Sequence, residues 1–174
     1  MPLRTFLRPN YFFGKQLSVE DFQREQEYHL EKGRLRNRLQ FGTGVVAGLR
    51  VSVDGQELVV SPGLAFDCQG NELVLAAEHR QPLGATAGRH VVAIRYAEKP
   101  VGSVPLPDGS TEPTHIEETV AFEFLPVRPA CSCTTPAERL QGCSQPHAVC
   151  LATIRLQGTR WRVSSSRGHR RRCG

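Results

Sequence analysis

The sequence predicts a mainly β protein, an antiparallel β-sandwich or barrel preceded by one long N-terminal α-helix. Three observations predict it. A capped, charge-graded segment runs from Ser18 to about Gln40; from Val45 the pattern changes to short runs rich in Val, Ile and Leu; and turn residues punctuate those runs. With 174 residues there is room for one domain with its own core, and 39% hydrophobic and 22% charged residues are ordinary for a globular chain. The organisation read from this pattern is an aromatic lead over 1–17, the helix over 18–42, a β-domain over 43–163 with a cysteine loop at 126–150, and a basic tail over 164–174.

The lead carries Tyr11-Phe12-Phe13-Gly14. Three adjacent aromatics on a loop have two readings. The plainer is that they seal the core beneath the helix; the other is that they form a plug under a neighbouring protein. In the helix, the Ser18 hydroxyl can accept a hydrogen bond from an orphan amide of the first turn, and Glu20 and Asp21 sit where the helix dipole favours negative charge. Acids come early (Glu20, Asp21, Glu25, Glu27, Glu31) and bases late (Lys32, Arg34, Arg36, Arg38), and Phe41-Gly42-Thr43-Gly44 suits a left-handed stop. Phe22, Leu30, Leu35 and Leu39 make only a thin apolar stripe. So polar a helix gains little from its own domain; it is expected to pack on other copies or on partners, and the plainer alternative is that it is mostly solvated.

Strands are expected at Val45–Val53, then at 58–60, 64–66 and 73–75, and later at 91–96, 119–125, 149–156 and 160–163. Asp54-Gly55, Pro62-Gly63 and Gln69-Gly70-Asn71 read as the turns between the early ones, with Asp67 capping the last. Residues 97–116, with four prolines and two glycines, read as a long exposed loop.

The net charge of +5 sits at one end. From Arg160 onward there are six arginines and no acid, which leaves 16 of the 22 basic residues against 17 acidic ones in the rest of the chain. Arg167, Arg170, Arg171 and Arg172 are therefore candidates for contact with a polyanion or an acidic neighbour. No interleaved aromatic follows Trp161 and no nucleic-acid module precedes it, which argues against nucleic acid as the main partner. No apolar run reaches the roughly 18 residues of a membrane span. The opening residues do not read as a secretory signal, so the chain is expected to be made in the cytoplasm.

Four of six cysteines fall between 131 and 150, in a stretch rich in Pro, Ser and Thr that has little apolar material to bury. Cys131, Cys133, Cys143 and Cys150, with His147 in reserve, are candidate ligands of a structural Zn²⁺. Short-loop disulfides are the other way to order such a segment, and free buried thiols are the remaining reading. Catalysis has no support: the histidines are scattered, no nucleophile–base or open metal motif is present, and Glu117-Glu118 beside His115 reads as a solvated loop end. No enzyme activity and no further cofactor are expected.

The run from Arg8 to His29 resembles the N-terminal segment of tail and baseplate proteins from phages and contractile injection systems. There an aromatic-Gly-x-x-Leu-x-x-x-Asp-Phe stretch opens a long helix that ends in an Asn-Arg pair and leads into a Gly-Val-Val-x-Gly-Leu strand. Here these are Asn37-Arg38 and Gly44-Val45-Val46-Ala47-Gly48-Leu49, followed by Pro62-Gly63-Leu64-Ala65-Phe66-Asp67 and Gly70-Asn71. More distantly, the opening resembles the shoulder domain of a type VI secretion baseplate component. The resemblance covers about residues 8 to 75. It implies a component of a phage-like particle or virion, present in several copies, that docks or bridges other tail proteins. Tyr11, Phe12, Phe13, Phe22, Leu30, Leu35 and Leu39 are the residues expected to meet those partners. The alternative is a zinc-stabilised binding module that uses its Arg-rich tail on nucleic acid or another polyanion.

Overall fold

The computed structural model describes residues 5–84, 88–126, 139–140, 143 and 147–165. Among them one helix precedes twelve antiparallel strands, and the strand pairing closes no barrel.

The helix, α1 (Val19–Gln40), begins with a capping box. The Ser18 hydroxyl accepts from the Asp21 amide, and the Asp21 carboxylate accepts from the Ser18 amide. It ends where the amides of Phe41 and Gly42 both donate to the Asn37 carbonyl, with Gly42 at φ 62°. Both boundaries agree with the sequence reading.

The first six strands build two small sheets around a bent hairpin. β1 (Gly44–Gly48) pairs with β4 (Gly63–Phe66), and β2 (Val51–Asp54) pairs with β3 (Glu57–Val60). The expected single strand over Val45–Val53 is thus broken in two. The break is at Gly48 and Leu49, which have φ of 62° and 50° and turn the chain from one sheet into the other. A left-handed leucine costs on the order of 1–3 kcal/mol. Leu49 is only 1% exposed, and full burial of a leucine side chain returns about 1.5–3 kcal/mol, so the corner is sustained by what it buries. The facing strand bends at the same level. There the Leu49 amide donates to the Pro62 carbonyl, and a Cβ on Gly48 would collide with the Pro62 backbone.

β5 (Glu72–Leu75) adds to β4 and completes one three-stranded sheet; β6 (His79–Pro82), unmarked in the sequence pattern, adds to β3 and completes the other. The third sheet has the order β10-β7-β11-β12, from β7 (Arg89–Val101), β10 (His115–Leu125), β11 (Val149–Gln157) and β12 (Arg160–Ser165). β7 and β10 stay paired from Val91↔Leu125 out to Val101↔His115. The region read as a loop at 97–116 is therefore a long β arm, tipped by a two-stranded ribbon of β8 (Val104–Pro105) and β9 (Thr111–Glu112).

One core joins the three larger sheets. Val45, Leu58, Val60, Ala65, Leu73, Val92, Ile94, Val149, Leu151 and Ile154 cluster there, with Trp161 and Phe122 packed at its margin. The short strands β1, β3, β4 and β5 supply half of these side chains, and the continuously buried stretches of β7 and β11 supply the rest. α1 adds none of them: Asn37 is the helix residue that is buried.

Candidate functional site

The lead folds back along the first half of α1. Phe6 meets Tyr28 edge to face with centroids 6.4 Å apart, the Tyr11 hydroxyl donates to Glu25 at 3.4 Å, and Lys15 pairs with Asp21 at 2.9 Å. The partners step from Tyr28 to Glu25 to Asp21 as the lead advances, so it runs antiparallel to the helix. The Lys15 ammonium, then the Ser18 amide, hold the Asp21 carboxyl below the usual carboxylate range.

The aromatic lead does not seal the core. Tyr11 is 50%, Phe12 64% and Phe13 fully exposed, and on the helix Phe22, Leu30 and Leu39 are exposed as well, with Leu35 half-buried. The plainer of the two sequence readings is thereby corrected. Gly14 at φ 84° turns the chain directly after Phe13, and the Lys15 amide returns to the Phe12 carbonyl at 3.1 Å. Such a turn presents its aromatic side chains outward.

The other end of α1 docks on the turn between β4 and β5. That turn is shaped by Asp67, fully buried, whose carboxylate accepts from the amides of Gln69 and Asn71 and from the Asn71 side chain at 2.8–2.9 Å. Asp67 thus caps the turn as its sequence position suggested. Asn37 donates to the Gly70 carbonyl at 3.0 Å and to the Glu72 carboxylate at 3.1 Å, and Arg38 donates to the Gln69 carbonyl at 2.8 Å. Gly70, at φ 87°, lets the helix come this close, because a Cβ there would collide with the Arg34 backbone. Phe41 stacks on Phe66 with centroids 5.1 Å apart. The Asn-Arg pair is therefore a device that reads a turn's backbone.

The opposite flank of the same turn meets the connection between β10 and β11. Gln69 donates to the Cys143 carbonyl at 3.4 Å, and Arg38 also donates to the Arg139 carbonyl at 3.1 Å. Cys68, 2% exposed, places its Sγ 3.2 Å from Nδ1 of His147 and accepts from the His147 amide at 3.4 Å. Cys68, Cys143 and His147 have donor atoms all within 4.8 Å of one another, a group that can hold a metal ion.

This group overlaps the set expected from the sequence but is not identical to it. Cys143 and the reserve ligand His147 are in it. Cys150 is buried in β11 opposite Ala93 and lies outside the converging three. Cys131 and Cys133, like Arg167, Arg170, Arg171 and Arg172, fall outside the described residues. Cys68 was missed, because nothing near position 68 in the sequence signals a ligand. The His115, Glu117 and Glu118 group lies exposed along β10, with His115 Nδ1 at 2.9 Å from the Thr114 hydroxyl.

No protein-family model matches the sequence, and neither does any curated protein. Among solved structures, the chain is similar to a chain of the baseplate complex from the type VI secretion system, with a TM-score of 0.54 at 11% sequence identity. The match covers 92% of this chain and 58% of that one, so the present chain spans a little over half its neighbour's length. At such low identity the likeness is one of fold alone.

Proposed function

We propose that this protein is a non-catalytic structural component of a contractile injection system or phage-like tail, which docks or bridges other baseplate proteins. The observation that carries the reading is the exposed aromatic face of the lead and helix, held on a β core by the Asn37–Arg38 dock. Four exposed aromatic side chains within twelve residues, Tyr11, Phe12, Phe13 and Phe22, are costly in water and are of the kind that marks an interaction surface. The fold likeness to a type VI baseplate chain supplies the class of assembly. The dock makes the exposed half of the helix a stiff lever, so a partner seated on it would be positioned relative to the β sheets.

The test is assembly. The wild-type chain, expressed from its own locus, should sediment with sheath and tube proteins and should show no turnover on ester, phosphoester, glycoside or peptide substrates. Joint replacement of Phe12 and Phe13 by serine should release it from the particle while leaving its thermal unfolding unchanged. A chain found only outside such particles, or double variants that assemble normally, would overturn the reading.

A further inference from the structure

We infer that Cys68, Cys143 and His147 supply three of the ligands of a structural Zn²⁺ site that staples the β4–β5 turn to the connection between β10 and β11. The site is independent of the docking role proposed above.

The geometry comes first. Zn–S bonds of about 2.3 Å and Zn–N bonds of about 2.0 Å at tetrahedral angles set sulfur and nitrogen about 3.5 Å apart, and two sulfurs about 3.8 Å apart. Cys68 Sγ and His147 Nδ1 are 3.2 Å apart, and the whole trio fits within 4.8 Å. The Cys68–His147 pair is therefore within a few tenths of an ångström of that spacing, and the Cys143 sulfur lies close enough to join it around one ion. The donor chemistry then selects the metal: two thiolates and an imidazole favour Zn²⁺ over Mg²⁺ or Ca²⁺, which take oxygen ligands.

Position supplies the reason for a staple. Cys68 follows Asp67 in a turn already fixed by three hydrogen bonds to the Asp67 carboxylate, so one ligand is preorganised. Cys143 and His147 enter from a connection that carries few large apolar residues between Pro126 and Val149. Such a segment gains little from hydrophobic burial, and a metal–ligand bond to a fixed turn orders it directly. A Cys–His nucleophile pair is the other chemistry open to Cys68 and His147. Cys68 is only 2% exposed, which keeps a substrate away from its sulfur, and a second thiol converges on the same point, which a nucleophile pair does not require.

The experiment uses the full untagged chain, since a histidine tag would itself bind metal. Elemental analysis after dialysis should find one zinc per chain, and X-ray absorption at the zinc edge should show a mixed sulfur and nitrogen shell. Cobalt exchanged into the site should give thiolate-to-metal charge-transfer absorption. Cys68→Ser and His147→Ala should each lose the zinc on dialysis that the parent chain retains. A chain that holds no zinc and takes up no cobalt would overturn the site. So would an all-sulfur or sulfur-free shell in the unaltered chain, a reading that does not depend on the variants folding. Retention of zinc by both folded variants would overturn it as well.

Discussion

The C-terminal end of α1 is held by side chains that read the backbone of a distant turn, whereas its N-terminal end is held by residues close to it in the chain. Asn37 and Arg38 bind carbonyls 33 and 31 positions away, respectively. Lys15 and Ser18 reach Asp21, and Tyr11 reaches Glu25, across at most 14 positions. The first kind of contact fixes the helix relative to the sheets. The second only shapes the helix and its lead as a unit, which leaves the aromatic face outward. A helix with one buried residue can therefore be firmly placed and still leave much of its surface exposed, because hydrogen bonds to a turn replace the apolar burial that usually docks a helix.

The strongest way to break this comparison is at Gly70. Gly70→Ala would put a side chain at φ 87° and into the Arg34 backbone, and we expect a loss of about 3 kcal/mol or more in denaturant unfolding. Stability within experimental error of the parent would show that the helix does not depend on this close approach. Asn37→Ala comes next. It removes two hydrogen bonds and leaves the buried Gly70 carbonyl without that donor, at a cost of about 1–3 kcal/mol. Gln23→Ala, on the exposed half, should stay within about 0.5 kcal/mol; equal effects from the two would erase the distinction between the ends.

Smaller effects sharpen it. Gly33 lies inside α1 with open space where a Cβ would sit, so Gly33→Ala should raise stability by about 0.5–1 kcal/mol through backbone entropy alone. A decrease would mean that Gly33, like Gly70, serves a close contact. The least effect is expected from Asp21→Asn, and it should depend on pH. The folded carboxyl is depressed by Lys15 and the Ser18 amide, so its contribution is present above the unfolded value of about 3.9 and fades as the pH falls through the lower folded value. The variant should therefore be less stable than the parent at neutral pH, and the two should converge in acid. A gap that persists in strong acid would place the effect elsewhere than in this carboxylate.

Much of this was legible one segment at a time. The Ser18 start and the stop after Gln40 follow from capping chemistry, and the turn at Asp67 follows from what an aspartate can bind two and four residues ahead. The thin apolar stripe foretold an exposed helix face. Less legible was the corner at Gly48 and Leu49, because the strand-like alternation continues straight through it. The arm over 97–116 was hidden by its prolines, among them Pro100 in β7 and Pro105 in β8, which are tolerated where a strand edge need not donate.

The sequence by itself determined the helix, most of the short strands and the boundaries near caps and turns, because those depend on hydrogen bonds and φ preferences within a few residues. It also marked Cys143 and His147 as members of a ligand-rich segment. Only the tertiary structure decided that the aromatic lead faces outward, that Asn37 and Arg38 grip the Gln69–Gly70 backbone, and that Cys68 completes the thiol–imidazole group. Cys68 and His147 are 79 positions apart, and no periodicity links such a pair. Their meeting depends on which turn lies against which connection, and that is settled by how the three larger sheets share one core.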